Sequence, residues 1–135
     1  MNFRFSLSTV QKIHENQREQ HQMNFADALK KMEIIIQQIQ SLDTQLKNLR
    51  LEKEAFLRMS GTLSFTTFLA YEQREKWLLE ELNRQRARCQ EIQNETEKCR
   101  SAVMDADIQV KMLEKLEEKQ RMEYIQDEKK SLYAA

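Results

Sequence analysis

The chain has 135 residues, 33% of them charged, and its 22 basic and 22 acidic side chains cancel to a formal net charge of zero. The two signs are mixed along both halves, which excludes the one-sided basic footprint of a nucleic-acid binder. The longest aliphatic run, Ile34-Ile35-Ile36, excludes a span of the ~20 apolar residues that a bilayer requires.

A single glycine and no proline, where average usage gives about nine and six or seven, predict long uninterrupted helices. Glu, Gln, Lys, Leu and Arg dominate, the composition of a coiled coil rather than of a wide globular core. Gly61, near the middle, is the expected turn, because glycine takes the left-handed conformation that closes a helix. Thr62 and Ser64 can cap the helix that follows. The expectation is a single all-α antiparallel coiled-coil hairpin with arm one at about 3–59, the turn at 60–64 and arm two at about 65–130.

In arm one the apolar positions step by three and four from Phe25 through Ala28, Met32, Ile35, Ile39, Leu42, Leu46 and Leu49, then to Lys53 and Phe56. That is the seam of a coiled coil. Carried towards the N-terminus, the register lands on His21, Arg18, His14 and Gln11, a polar seam. Val10 and Ile13 sit one position off it, which predicts a stutter or a change of partner near residue 20.

Arm two carries a matching seam: Phe68, Tyr71, Glu75, Leu78, Leu82, Gln85, Cys89, Ile92, Thr96, Cys99, Val103, Ala106, Val110 and Leu113. In a hairpin the residue numbers of facing positions have a constant sum. A sum of 124 makes every seam position of one arm meet one of the other, for example Phe56 with Phe68, Leu46 with Leu78 and Leu42 with Leu82. It places the centre beside Gly61 and gives a coiled coil roughly 80 Å long. Leu42, Leu46, Leu78 and Leu82 form a strong block. Ala28 with Thr96, His21 with Val103 and Arg18 with Ala106 are weak pairs, so the end holding both termini is expected to fray. Apolar residues gather again at that end: Leu113, Leu116, Met122, Tyr124 and Ile125, with Phe3, Phe5 and Leu7 opposite.

Candidate chemistry is sparse. His14 and His21 share one face but gather no further metal ligands. Cys89 and Cys99 lie on one helix, too far apart for a disulfide, and read as small seam hydrophobes. Asn94-Glu95-Thr96 matches a glycosylation sequon in the middle of a helix, a chance match. The arginines at 84, 86 and 88 read as a solvated face paired with neighbouring acids. Phe65, Phe68, Leu69, Tyr71 and Trp77 crowd the start of arm two. Phe65, Leu69 and Trp77 are expected to stay partly exposed, serving either turn packing or a docking patch. With no phosphate loop, nucleophile elbow, paired catalytic carboxylates or metal signature, neither catalysis nor a cofactor is expected. Residues 1–16 lack the apolar core of a signal peptide, so a soluble cytosolic interaction protein is the expectation.

The opening, Phe3-Arg4-Phe5-Ser6-Leu7-Ser8-Thr9-Val10 followed by Glu15-Asn16-Gln17-Arg18-Glu19, resembles the start of the FliJ family, with Gln17-Arg18 in place of an acidic-lysine pair. Lys111-Met112-Leu113-Glu114-Lys115-Leu116-Glu117-Glu118-Lys119 is similar to that family's C-terminal segment. The ending, Asp127-Glu128 to Ala135, departs from the longer acidic tail of many relatives. The resemblance implies a coiled-coil component of the bacterial flagellar type III export apparatus, peripheral at the cytoplasmic face of the membrane. It implies a part like the central stalk of rotary ATPases, docking into the hexameric export ATPase, promoting its assembly and activity, and contacting the export-gate membrane protein and export chaperones. By position, it places Phe3, Arg4, Phe5, Leu7, Leu113, Leu116 and Met122 against the ATPase, and Phe65, Phe68, Leu69 and Tyr71 against the gate. The alternatives are the equivalent stalk of an injectisome and a generic antiparallel coiled-coil adaptor.

Overall fold

The computed structural model describes residues 3–59 and 64–134. Helix α1 runs from Ser8 to Met59 and helix α2 from Phe65 to Ala134, 52 and 70 residues respectively. They pack against each other as an all-α helical hairpin. The turn expected at Gly61, with Thr62 as a cap, lies outside the described residues. Ser64 does cap α2: its Oγ accepts from the Thr67 N–H at 3.5 Å and its carbonyl from the Phe68 N–H at 3.0 Å.

Helix α1 starts at Ser8, five residues later than the arm expected at about 3–59, and α2 extends four residues past Lys130. Phe3 and Phe5, two apart, would lie on nearly opposite faces of a helix. A turn in which the Ser8 N–H donates to the Phe5 carbonyl at 3.2 Å precedes the helix instead, with Phe5 buried and the Phe3 ring against Tyr124 of α2.

The chain divides into two compact units, Ala28–Thr96 and Met1–Asp27 with Glu97–Ala135. In Ala28–Thr96, Leu46, Leu49, Leu78 and Leu82 form the core, with Ile39, Leu42 and Tyr71 packed on it. Leu78 and Leu82 are 1% exposed, and full burial of such a side chain is worth about 1.5–3 kcal/mol. Thr96 is buried as well, its hydroxyl satisfied by the Ile92 carbonyl at 2.7 Å. The Cys89 thiol lies 4.0 Å from the Met32 sulfur, and the Phe56 and Tyr71 rings are 5.7 Å apart. Further pairs join Asp43 to Arg86 and Arg50 to Glu75.

In the unit holding both termini, Val110 is fully buried and Phe5 is 7% exposed. Arg18 pairs with Asp107 at 3.4 Å, and Gln11 Nε2 donates to Glu117 at 3.0 Å. The Phe3 ring lies 5.6 Å from Tyr124, under the Arg121 guanidinium at 5.5 Å. Of the stutter or change of partner expected near residue 20, the described residues show no stutter. Gln11, His14, Arg18 and His21 stay half-buried in register, while Val10 and Ile13 are 39% and 50% exposed. Polar side chains with long apolar stems can fill seam positions when their heads find partners at its edge.

Residue numbers of the cross-helix pairs in both units sum to between 121 and 129, bracketing 124. A heptad slip would centre them on 117 or 131.

Amides at Gln11–His21 and Val103–Val110 are expected to exchange much faster than those at Leu42–Leu49 and Leu78–Leu82, because few buried apolar contacts hold the polar seam. Hydrogen exchange read by mass spectrometry checks this, and equal protection along both helices contradicts it.

Candidate docking surfaces

The side chains assigned to an ATPase contact divide by exposure. Phe5 is buried and Phe3, Leu7 and Leu113 are half-buried, whereas Arg4 is exposed and Leu116 and Met122 are 36% and 58% exposed. Leu113 and Leu116 share a shallow, mainly apolar groove with His14, Gln109 and Met112. Met122 lies instead in a second depression beside Ile125 and the Glu114–Glu118 acids. Beyond Leu113 the seam continues through Glu117, Gln120 and Tyr124, all half-buried, so Leu116, Met122 and Ile125 face outward rather than onto α1. Tyr124 donates to Glu128 at 3.0 Å, and burial followed by that carboxylate pushes the phenol pKa up.

The residues after the turn divide in the same way. Phe65 and Leu69, four apart on α2, are 74% and 42% exposed. Phe68 lies under the Lys53 ammonium at 5.3 Å, and Tyr71 packs on Phe56 and the leucine core. Lys53 also pairs with Glu72 and, at 3.4 Å, with Glu75. The hydrogen bond that Lys53 donates to Glu72 raises the Lys53 pKa, and the one that Arg50 donates to Glu75 leads the causes that lower the Glu75 pKa. These charges tie the hairpin together rather than await a ligand.

Farther along α2, Trp77 is 54% exposed and flanks a cleft of about 330 Å³ lined by Gln38, Leu42, Gln45, Glu81 and Gln85. Gln85 Nε2 donates to Glu81 at 3.1 Å, and that bond, ahead of the one from Arg84, lowers the Glu81 pKa. The other amide atom, Gln85 Oε1, is buried with no hydrogen-bond partner among the described residues. An orphaned acceptor costs about 1–3 kcal/mol. The sequence placed Gln85 in the seam, and an amide at a seam position beside an off-seam tryptophan was the available signal for this cleft.

Among the described residues no three His, Cys, Asp or Glu side chains converge as a metal site would need, and no helix is long and apolar enough to cross a membrane. No curated protein and no solved structure matches the chain. The family model described as the flagellar FliJ protein matches residues 3–131. That match spans nearly the whole of both helices, and the chain belongs to the flagellar FliJ protein family.

Proposed function

We propose that the chain acts as a stalk-like partner of the hexameric flagellar export ATPase, promoting its assembly and activity and linking it to the export gate and to export chaperones. The observation that carries this reading is the family match over residues 3–131. Membership makes the chain a component of the flagellar export apparatus, a family of export parts rather than of enzymes. The work is done from the cytoplasmic face of the membrane.

Phe3, Arg4, Phe5, Leu7, Leu113, Leu116 and Met122 form the ATPase-facing set in this reading, and Phe65, Phe68, Leu69 and Tyr71 the gate-facing set. Their exposures assign different work within each set. Arg4, Leu116 and Met122 are free to touch a partner, while Phe3, Phe5 and Leu7 hold the N-terminal segment in place. Phe65 and Leu69 offer the gate an apolar contact, and Phe68 and Tyr71 brace them from below.

Adding the purified chain to the export ATPase of the same cell is expected to raise ATP hydrolysis and ring formation in a saturable way. The double variant Leu116→Ala/Met122→Ala is expected to weaken that engagement about tenfold or more, the scale of losing interface anchors, with helicity by circular dichroism unchanged. A folded wild-type hairpin that does not engage the ATPase leaves the adaptor reading in its place.

A further inference from the structure

Helix α2 carries a second heptad stripe on the face turned away from α1. Positions 104, 108, 111, 115, 118, 122, 125, 129 and 132 alternate steps of four and three, the spacing of a coiled-coil seam. Met104, Ile108, Met122, Ile125 and Leu132 lie on it, 44% to 79% exposed. Its centre is charged: Lys115 and Glu118 have no ion pair among the described residues.

The stripe is complementary to itself. If two copies lie antiparallel with facing residue numbers summing to 233, each position from 104 to 129 meets a stripe position of the other copy. Ile108 then faces Ile125 twice, Lys111 faces Met122 twice, and Lys115 faces Glu118 twice about the two-fold axis. Shifting by one heptad either way sets Lys111 of each copy against Lys115 or Lys129 of the other, a like-charge contact. At the edge, Glu114 falls beside Arg121, while Asp107, which falls beside Glu128, is already neutralised by Arg18 and Lys111. An isologous contact of this kind is the commonest route to a closed dimer.

We infer that the outer face of α2 between Met104 and Lys129 is a self-association surface, on which a second copy of this chain docks antiparallel with Lys115 against Glu118. The contact spans roughly 39 Å of helix in each copy. Met122 lies in this surface and also in the proposed ATPase contact, so the dimer and the ATPase-bound chain exclude one another. That corollary alone rests on the proposed function.

Sedimentation of the full chain tests the surface without any other protein. Wild type is expected to move from monomer to dimer as its concentration rises to about 100 μM, the range of a micromolar contact. Lys115→Glu sets Glu against Glu118, and Glu118→Lys sets Lys against Lys115, so each variant is expected to remain a monomer at that concentration. Mixed in equal amounts, the two variants recover both opposite-charge pairs and are expected to form a heterodimer. Both charges are solvent-exposed, and circular dichroism verifies that the helices remain formed. A monomeric wild type, single variants that still dimerise, or a mixture that stays monomeric each overturns the inference.

Discussion

Replacing Leu82 by Ala is expected to lower the unfolding free energy by about 2–5 kcal/mol, the cost of deleting a buried leucine together with the cavity left behind. Leu82 is 1% exposed and packs with Leu46, Leu49 and Leu78 in the core of Ala28–Thr96. A seam between two helices offers few neighbours to relax into a void, so the loss belongs in the upper part of that range. Leu51→Ala removes the same atoms from a side chain 64% exposed and is expected to change stability by only about 0.5 kcal/mol. Urea unfolding followed by circular dichroism measures both. Equal losses would mean that the leucine block does not hold the hairpin.

That block was readable in the sequence because coiled-coil packing writes itself into spacing. Steps of three and four named Leu42, Leu46, Leu78 and Leu82, and the same steps placed Lys53, Glu75 and Arg18 in the seam although hydropathy alone would have put them outside. All three are half-buried and paired across the helices. Phe65, Leu69 and Trp77 were legible as exposed for the converse reason, since they fall off the seam.

What stayed hidden depends on local geometry. The turn closed by the Ser8 N–H on the Phe5 carbonyl leaves Phe5 buried and the Phe3 ring against Tyr124, although the two are spaced by two residues, an arrangement that helical periodicity does not express. The seam beyond Leu113 runs to Tyr124 through Glu117 and Gln120, whose polar heads mask their buried stems, whereas the more apolar Leu116 and Met122 face outward. The Gln85 acceptor is set by a side-chain torsion and by the bond its amide nitrogen makes to Glu81. Spacing can place a glutamine but cannot aim it.

The charged seam near Lys53 carries the second large expected effect. Lys53 and Glu75 have side chains only 21% and 20% exposed, and Arg50 adds a 3.0 Å contact to the same carboxylate. Desolvating such a pair offsets most of its attraction, and replacing it with packed apolar residues is often neutral or stabilising by about 1–4 kcal/mol. Lys53→Leu/Glu75→Leu is therefore expected to leave stability unchanged or to raise it within that range. The charges instead select the register. A heptad slip would set Lys53 opposite Ser64 or Leu78 and Glu75 opposite Leu42 or Phe56, stranding a charge in the seam in every case. The leucine variant lifts that penalty, so slipped pairings become accessible to it. Spin labels on Lys47 and Glu80, with both native cysteines replaced by alanine, report the outcome. The parent chain is expected to give one distance and the leucine variant a second population, displaced as the helices slide by about 10 Å. A single distance in the variant would show that the leucine block alone fixes the register.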